Sequence, residues 1–292
     1  MSIAASPGLP SLLSGHWQAA WGLDGAAATY AALYLWGTLR LRERWPLRRT
    51  ASFMAGIGVV LIALQSGVAA YDERLLSAHM VQHMLLLLVA PLLILEGRPL
   101  MLILRAAAPE HRVALVRLLG RLGRFTGPYV CLGVFSGALI AAHLPAVFDA
   151  TLGHPLLHEL EHALFIAVGL LFWWPLLDGD PLPSRRLGGL GRVFYLLGSM
   201  PAMALVGAYL NRAPEVVYRS YAAPARALGI SAVADQQQAA AIMWVGGSCL
   251  MIAVGLWVAM ASMIAEERRQ QARERRGLPA ELGAGSGGRP AR

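Results

Sequence analysis

Long apolar runs separated by short charged stretches dominate the chain. A hydrocarbon core takes about 20 residues of helix to cross, and on that measure the runs predict seven spans, at about 22–40, 51–71, 75–95, 125–147, 157–177, 193–211 and 239–264. The third span holds Pro91, which lacks a backbone donor and predicts a kink or break there. In the stretch 98–124, Arg98, Arg105, Arg112, Arg117, Arg121 and Arg124 lie among Leu and Val, the pattern of an amphipathic surface helix. From Glu266 onward the chain reads as a charged helix end followed by a Gly-rich tail, expected to be disordered. The predicted organisation is an all-α, polytopic membrane helix bundle over residues 1–265 and a cytoplasmic tail over 266–292. The N-terminal stretch has no basic segment before its first apolar run, so it does not read as a cleavable signal.

Composition supports the membrane reading. Apolar residues make up 57% of the chain and charged residues 14%, against about 25% charge in soluble domains. That disfavours a cytosolic enzyme and a secreted disulfide module. The net charge of +8 comes from a chain with no Lys, so all 25 of its basic residues are Arg. They lie mostly between the apolar runs, where they orient a protein in lipid, and nucleic acid is not an expected partner. Counted in alternate loops, 21 Arg fall on one side and Arg74, Arg212, Arg219 and Arg226 on the other. The bias predicts an outside N-terminus and a cytoplasmic C-terminus. Cys131 and Cys249 sit in apolar segments with no paired motif and read as buried small hydrophobes.

Under that topology His79, His83, His143, His154, His158 and His162 share one layer at the outer ends of spans three to five. Ionisable groups there are costly and point to function. HMVQHM places His79 and His83 at i and i+4, on one helix face, and HELEH does the same for His158 and His162. Two facing pairs make a nitrogen-rich metal site. Imidazole suits zinc, copper, iron and nickel, whereas thioether selects Cu(I). Met80 and Met84, and Met243 at the start of span seven, therefore favour copper. The apolar surroundings favour the low-charge cuprous ion. Glu161 and Asp149 are candidates for fixing imidazole tautomers. His143, His154, Asp235 and Asp72 are further polar groups of the same layer.

Other chemistry stays open at this point. HELEH is a literal HExxH, the zinc-protease pattern in which Glu159 would activate water, but no companion motif accompanies it. A haem held by His from facing spans is a further possibility. A copper transporter would need a path through the midplane, where the candidates are Cys131, Cys249, Met200, Met203 and Met251.

Three stretches carry a resemblance: HMVQHMLLLLVAPLLILEGRPL at 79–100, HPLLHELEHALFIAVGLLFWWPLLD at 154–178, and DQQQAAAIMW at 235–244. They resemble the CtaG-type family of multi-spanning cytochrome c oxidase assembly factors, over about Trp21 to Ile264. This is the many-helix family, not the single-span copper chaperone that shares the label. The resemblance implies a non-enzymatic, multi-pass protein of the bacterial plasma membrane, needed for maturation of haem–copper oxidases. It implies Cu(I) as cargo, oxidase subunits as partners alongside membrane lipid and a periplasmic copper chaperone, and His79, His83, His158 and His162 as site positions. One departure stands out: Ala239 and Ala240 replace the Gly pair that the family tends to carry after DQQ.

Overall fold

A computed structural model of the chain describes residues 17–41, 44–123, 126–177 and 187–275. All regular structure among the described residues is helical. Five helical stretches are long and apolar enough to cross a membrane: Leu47–Tyr71, Leu76–Ala106, Pro155–Leu176, Gly189–Arg212 and Ala232–Ala272. A sixth forms if the pair Pro128–Ala142 and Pro145–Gly153, bent by 72°, counts as one crossing. The first expected span is present as helix α1 (Trp21–Arg40). Its Asp24 and its scattered Gly, Thr, Trp and Tyr leave it out of the apolar set. Apolarity therefore supports five or six spans, where the sequence reading counted seven.

Breaks in the helices follow local chemistry. Helix α2 (Leu47–Gln65) ends at Ser66, whose hydroxyl donates to the Ile62 carbonyl at 2.6 Å. The same oxygen accepts from the Val68 N–H and caps the short α3 (Gly67–Tyr71). The expected break at Pro91 takes another form. Helix α4 (Leu76–Met84) widens into a π-turn at Leu85–Val89 and continues as α5 (Ala90–Glu96). The wider turn accommodates a proline that cannot donate to the carbonyl four residues back. That carbonyl, of the buried Leu87, faces Gly169 of α10 (Pro155–Trp173), where an added Cβ would lie 2.2 Å from it. The stretch 98–124 forms two helices, α6 (Pro99–Ala106) and α7 (Pro109–Leu122). α6 continues the apolar Leu76–Ala106 stretch, while α7 exposes Val113, Val116 and Leu118.

Helix α8 (Pro128–Ala142) stops at His143, and Leu144-Pro145 turns the chain into α9 (Pro145–Gly153). Proline disfavours helical geometry in the residue before it and opens the next helix well. The fourth expected span, 125–147, thus breaks at 143–144, and the chain from there to 153 is a separate helix bent by 72° from α8. Helix α11 (Gly189–Arg212), followed by the short α12 (Ala222–Ala227), packs on α13 (Ala232–Ala241) and on α14 (Gly247–Arg275), the last two joined by a second π-turn at Ile242–Gly246. Ala239 and Ala240 are fully buried. The close approach expected of a Gly pair there is provided by Gly207 on α11, where an added Cβ would lie 3.3 Å from the Ala240 carbonyl. Helix α14 runs through the expected boundary at 265 to Arg275. His16, Arg124, Arg185, Arg186 and the tail beyond 275 lie outside the described residues.

The two ends of the bundle differ. Arg48, Glu96, Arg98, Arg192 and Glu266 line one cleft at the end where α2 and α11 begin. The histidines gather at the opposite end, where α4 and α10 begin. Arg-rich and His-rich loops therefore segregate as the sequence predicted. The outer faces carry exposed Leu205, Ile252, Leu256, Trp257 and Met263, an apolar exterior suited to lipid.

A buried histidine and carboxylate cluster

Helix α4 begins without a capping side chain of its own. Asp235, from α13 and 159 residues away, supplies the cap: its carboxylate accepts from Leu76 N–H at 2.6 Å and from the N–H and hydroxyl of Ser77. That contact sets the start of the helix bearing His79 and His83. Asp235, a polar group of the same layer in the sequence, thus acts as a helix cap and positions their helix.

The two i,i+4 pairs meet. His79 and His158 stack with ring centroids 5.5 Å apart, and His83 and His162 lie 6.3 Å apart. His79 and His83 are buried to 0% and 4% exposure. His143 is buried as well, its Nδ1 2.7 Å from the Leu139 carbonyl and its ring 6.4 Å from His83. Glu161 is buried beside them, with an oxygen 3.8 Å from His83 Nε2. Across the cluster Asp72 places an oxygen 4.0 Å from His158 Nε2. Aromatic rings wall the pocket. Phe165 lies 4.3 Å from His83, and Phe148 of α9 lies 5.0 Å from His79. Phe148 in turn stacks on Tyr218 at 3.8 Å. The hydroxyls of Tyr218 and Tyr221 donate to the His143 and Asp72 carbonyls, at 2.9 and 2.6 Å, and pin the 217–221 segment over the site. Burial raises the pKa of both tyrosines above the usual phenol range, which keeps them protonated donors.

Gln82, which the sequence reading did not single out, connects the parts. Its amide nitrogen donates to the Asp72 carboxylate at 2.9 Å and to the Ala63 carbonyl at 3.1 Å. Both partners are acceptors, so the amide oxygen must face His162, whose Nε2 lies 2.9 Å away. His162 Nε2 therefore carries the hydrogen and donates it, and Nδ1 keeps the free lone pair. Asp72 lies just past the Leu47–Tyr71 stretch, and burial pushes its carboxyl up to about 7.

Eight buried side-chain atoms of this cluster have no hydrogen-bond partner among the described residues: both ring nitrogens of His79 and His83, Nε2 of His143 and His158, and both oxygens of Glu161. Each buried polar atom left unpaired costs about 1–3 kcal/mol. Eight in one place would consume stability comparable to that of a whole domain, about 5–15 kcal/mol. A bound cation satisfies imidazole lone pairs and carboxylate oxygens together. Two sets of three donors have their ligand atoms within 4.8 Å of one another: His79, His83 and Glu161, and Asp72, His158 and His162.

The remaining expected residues fall elsewhere. His154 is exposed at the junction of α9 and α10. Asp149 accepts from the Ser220 hydroxyl at 2.8 Å. Met80 and Met243 are buried in the main apolar core. The Met84 methyl lies 3.0 Å from where a Cβ on Gly247 would sit, beside Met203. Glu159 of HELEH is exposed and belongs to neither three-donor set, whereas Glu161 turns inward.

A family model for the cytochrome c oxidase caa3 assembly factor (Caa3_CtaG) matches residues 32–264. The chain is 32% identical over 239 residues to uncharacterized protein Mb0105 of Mycobacterium bovis, covering 76% of this chain and 36% of that protein. It is 29% identical over 271 residues to uncharacterized protein ML1998 of Mycobacterium leprae, covering 87% of this chain and 40% of that one. It thus spans less than half the length of these relatives. No solved structure matches the chain.

Proposed function

Because this chain belongs to the cytochrome c oxidase caa3 assembly factor family, we propose that it matures a haem–copper oxidase by holding copper as cargo on its histidine cluster. It then passes the ion to an oxidase subunit. Support comes above all from the eight buried nitrogen and oxygen atoms of the cluster that have no hydrogen-bond partner among the described residues. The donors are four imidazoles and two carboxylates. Imidazole suits copper in both oxidation states, and one carboxylate per donor set offsets part of the ion's charge. In this reading the protein sits in the bacterial plasma membrane with α1 as the seventh crossing, the histidine end outside and the Arg-rich end in the cytoplasm. A non-enzymatic role agrees with a family of assembly factors and with the exposed position of Glu159.

The test replaces His83 and His162 together by Ala and measures oxidase activity and oxidase copper content in cells under limiting copper. The expected result is an oxidase depleted in copper, with the variant present at normal levels. A fully metallated oxidase alongside a normally abundant variant would mean that the cluster is structural.

A further inference from the structure

The geometry points to two metal positions in the cluster, one facing a cleft and held by Asp72, His158 and His162, the other enclosed and held by His79, His83 and Glu161. Ions enter at the first and pass to the second. This inference rests on the metal-binding reading above and divides its site.

Three observations carry it. First, the histidines sort by helix, and each pair is completed by a carboxylate from another element. Each i,i+4 pair stays together and takes its own carboxylate, Glu161 for the α4 pair and Asp72 for the α10 pair. Imidazole lone pairs lie in the ring plane. His79 and His158 are stacked with their planes only 7° apart, so their lone pairs do not converge on one ion. A single four-histidine centre would need them to converge.

Second, access differs. A cleft of about 990 Å3 is lined by Asp72, Gln82, His158 and His162, with Glu73 and Glu159 at its walls, and includes none of His79, His83 and Glu161. The enclosed set lies behind Phe148, Phe165 and Tyr221. Asp72, Glu73 and Glu159 outnumber Arg74, the one cation at the cleft among the described residues, so the lining draws in a cation, and the aromatic wall keeps water from the inner set.

Third, the polar bookkeeping is unequal. At the cleft, Gln82 already pairs with Asp72 and fixes the His162 tautomer. Of the buried atoms of the cleft set only His158 Nε2 lacks a hydrogen bond among the described residues, whereas in the enclosed set every ring nitrogen and carboxylate oxygen does, with His83 and Glu161 no closer than 3.8 Å. The cleft set is therefore equipped to stand without an ion and to exchange it, while the enclosed set depends on one. Each set offers three protein donors, which leaves a coordination position open for the hand-over.

The test is an anaerobic Cu(I) titration of the purified 292-residue chain in detergent against a chromogenic chelator, read for stoichiometry and loading rate. Two equivalents in the unsubstituted chain support the inference. Loss of one equivalent in Asp72→Asn/His162→Gln, with loading of the remaining site slowed at least about tenfold, supports it further. So does loss of the other equivalent in His83→Gln/Glu161→Gln with fast loading retained. One equivalent in the unsubstituted chain overturns the two-position inference and leaves the metal-binding reading standing. Zero equivalents overturns both. Because the unsubstituted chain alone separates these outcomes, the test does not depend on the variants folding.

Discussion

Gln82 shows what single residues contribute that spacing does not reveal. The pairs His79/His83 and His158/His162 were legible because i,i+4 spacing puts two side chains on one helix face. Their meeting was expected from a shared layer of the bundle, and the ring distances of 5.5 and 6.3 Å bear that out. Gln82 lies between the two histidines of HMVQHM, three residues after His79, and the signal was its amide in an otherwise apolar run. Its role depends on Ala63 and Asp72, which only the fold brings near. We expect Gln82→Leu to weaken metal binding about 10–100-fold, because His162 loses the acceptor that fixes its tautomer. Chelator competition on the purified variant checks this, and unchanged affinity would remove Gln82 from the site. Glu159→Gln should leave oxidase maturation intact, since that side chain is exposed while Glu161 turns inward. Abolition of a measurable proteolytic activity by that change would instead make HELEH a catalytic motif.

At the scale of elements, the sequence placed the helices well and their interruptions less well. Pro91 was expected to kink or break span three; the chain absorbs it in a π-turn, and Gly169 of α10 closes on the Leu87 carbonyl. No periodicity in either segment predicts that approach, because it depends on two helices 80 residues apart. Gly169→Ala would put a Cβ 2.2 Å from that oxygen and 2.6 Å from the Pro91 ring. Backbone must then move, at a cost of about 1–3 kcal/mol or more, and α10 carries His158 and His162 with it. A lowered melting temperature together with weakened metal binding is the expected result; a variant as stable as the parent would contradict this packing. Asp235 was legible as a polar residue of the right layer, but its partner on α4 was not, since a remote cap has no local signature. Asp235→Ala should cost about 0.5–2 kcal/mol, the range for loss of a helix cap, with Asp235→Asn closer to the parent in thermal unfolding. The short α9 escaped because nine residues are too few for a span signal and its flanking Pro and Gly read as loop.

The whole molecule is a helical bundle whose two ends carry different chemistry. Alternation of Arg along the sequence anticipated this segregation, since the positive-inside bias acts on every loop at once. The count of spans was less secure: α1 is the right length, but its composition falls short of the apolar helices. The proposed topology has α1 crossing and the Arg-rich end in the cytoplasm. A reporter fused after Arg292 should be active only when it is a cytoplasmic type, and activity of a periplasm-dependent reporter would reverse the orientation. The central claim for the molecule is that the His-rich end binds copper through imidazole and carboxylate. X-ray absorption at the copper edge of the loaded, purified protein reads those donors directly. Nitrogen and oxygen neighbours at about 2 Å with the outer-shell scattering of imidazole are expected, and no sulfur at about 2.3 Å. A sulfur-dominated shell, or a protein that retains no copper, would contradict it.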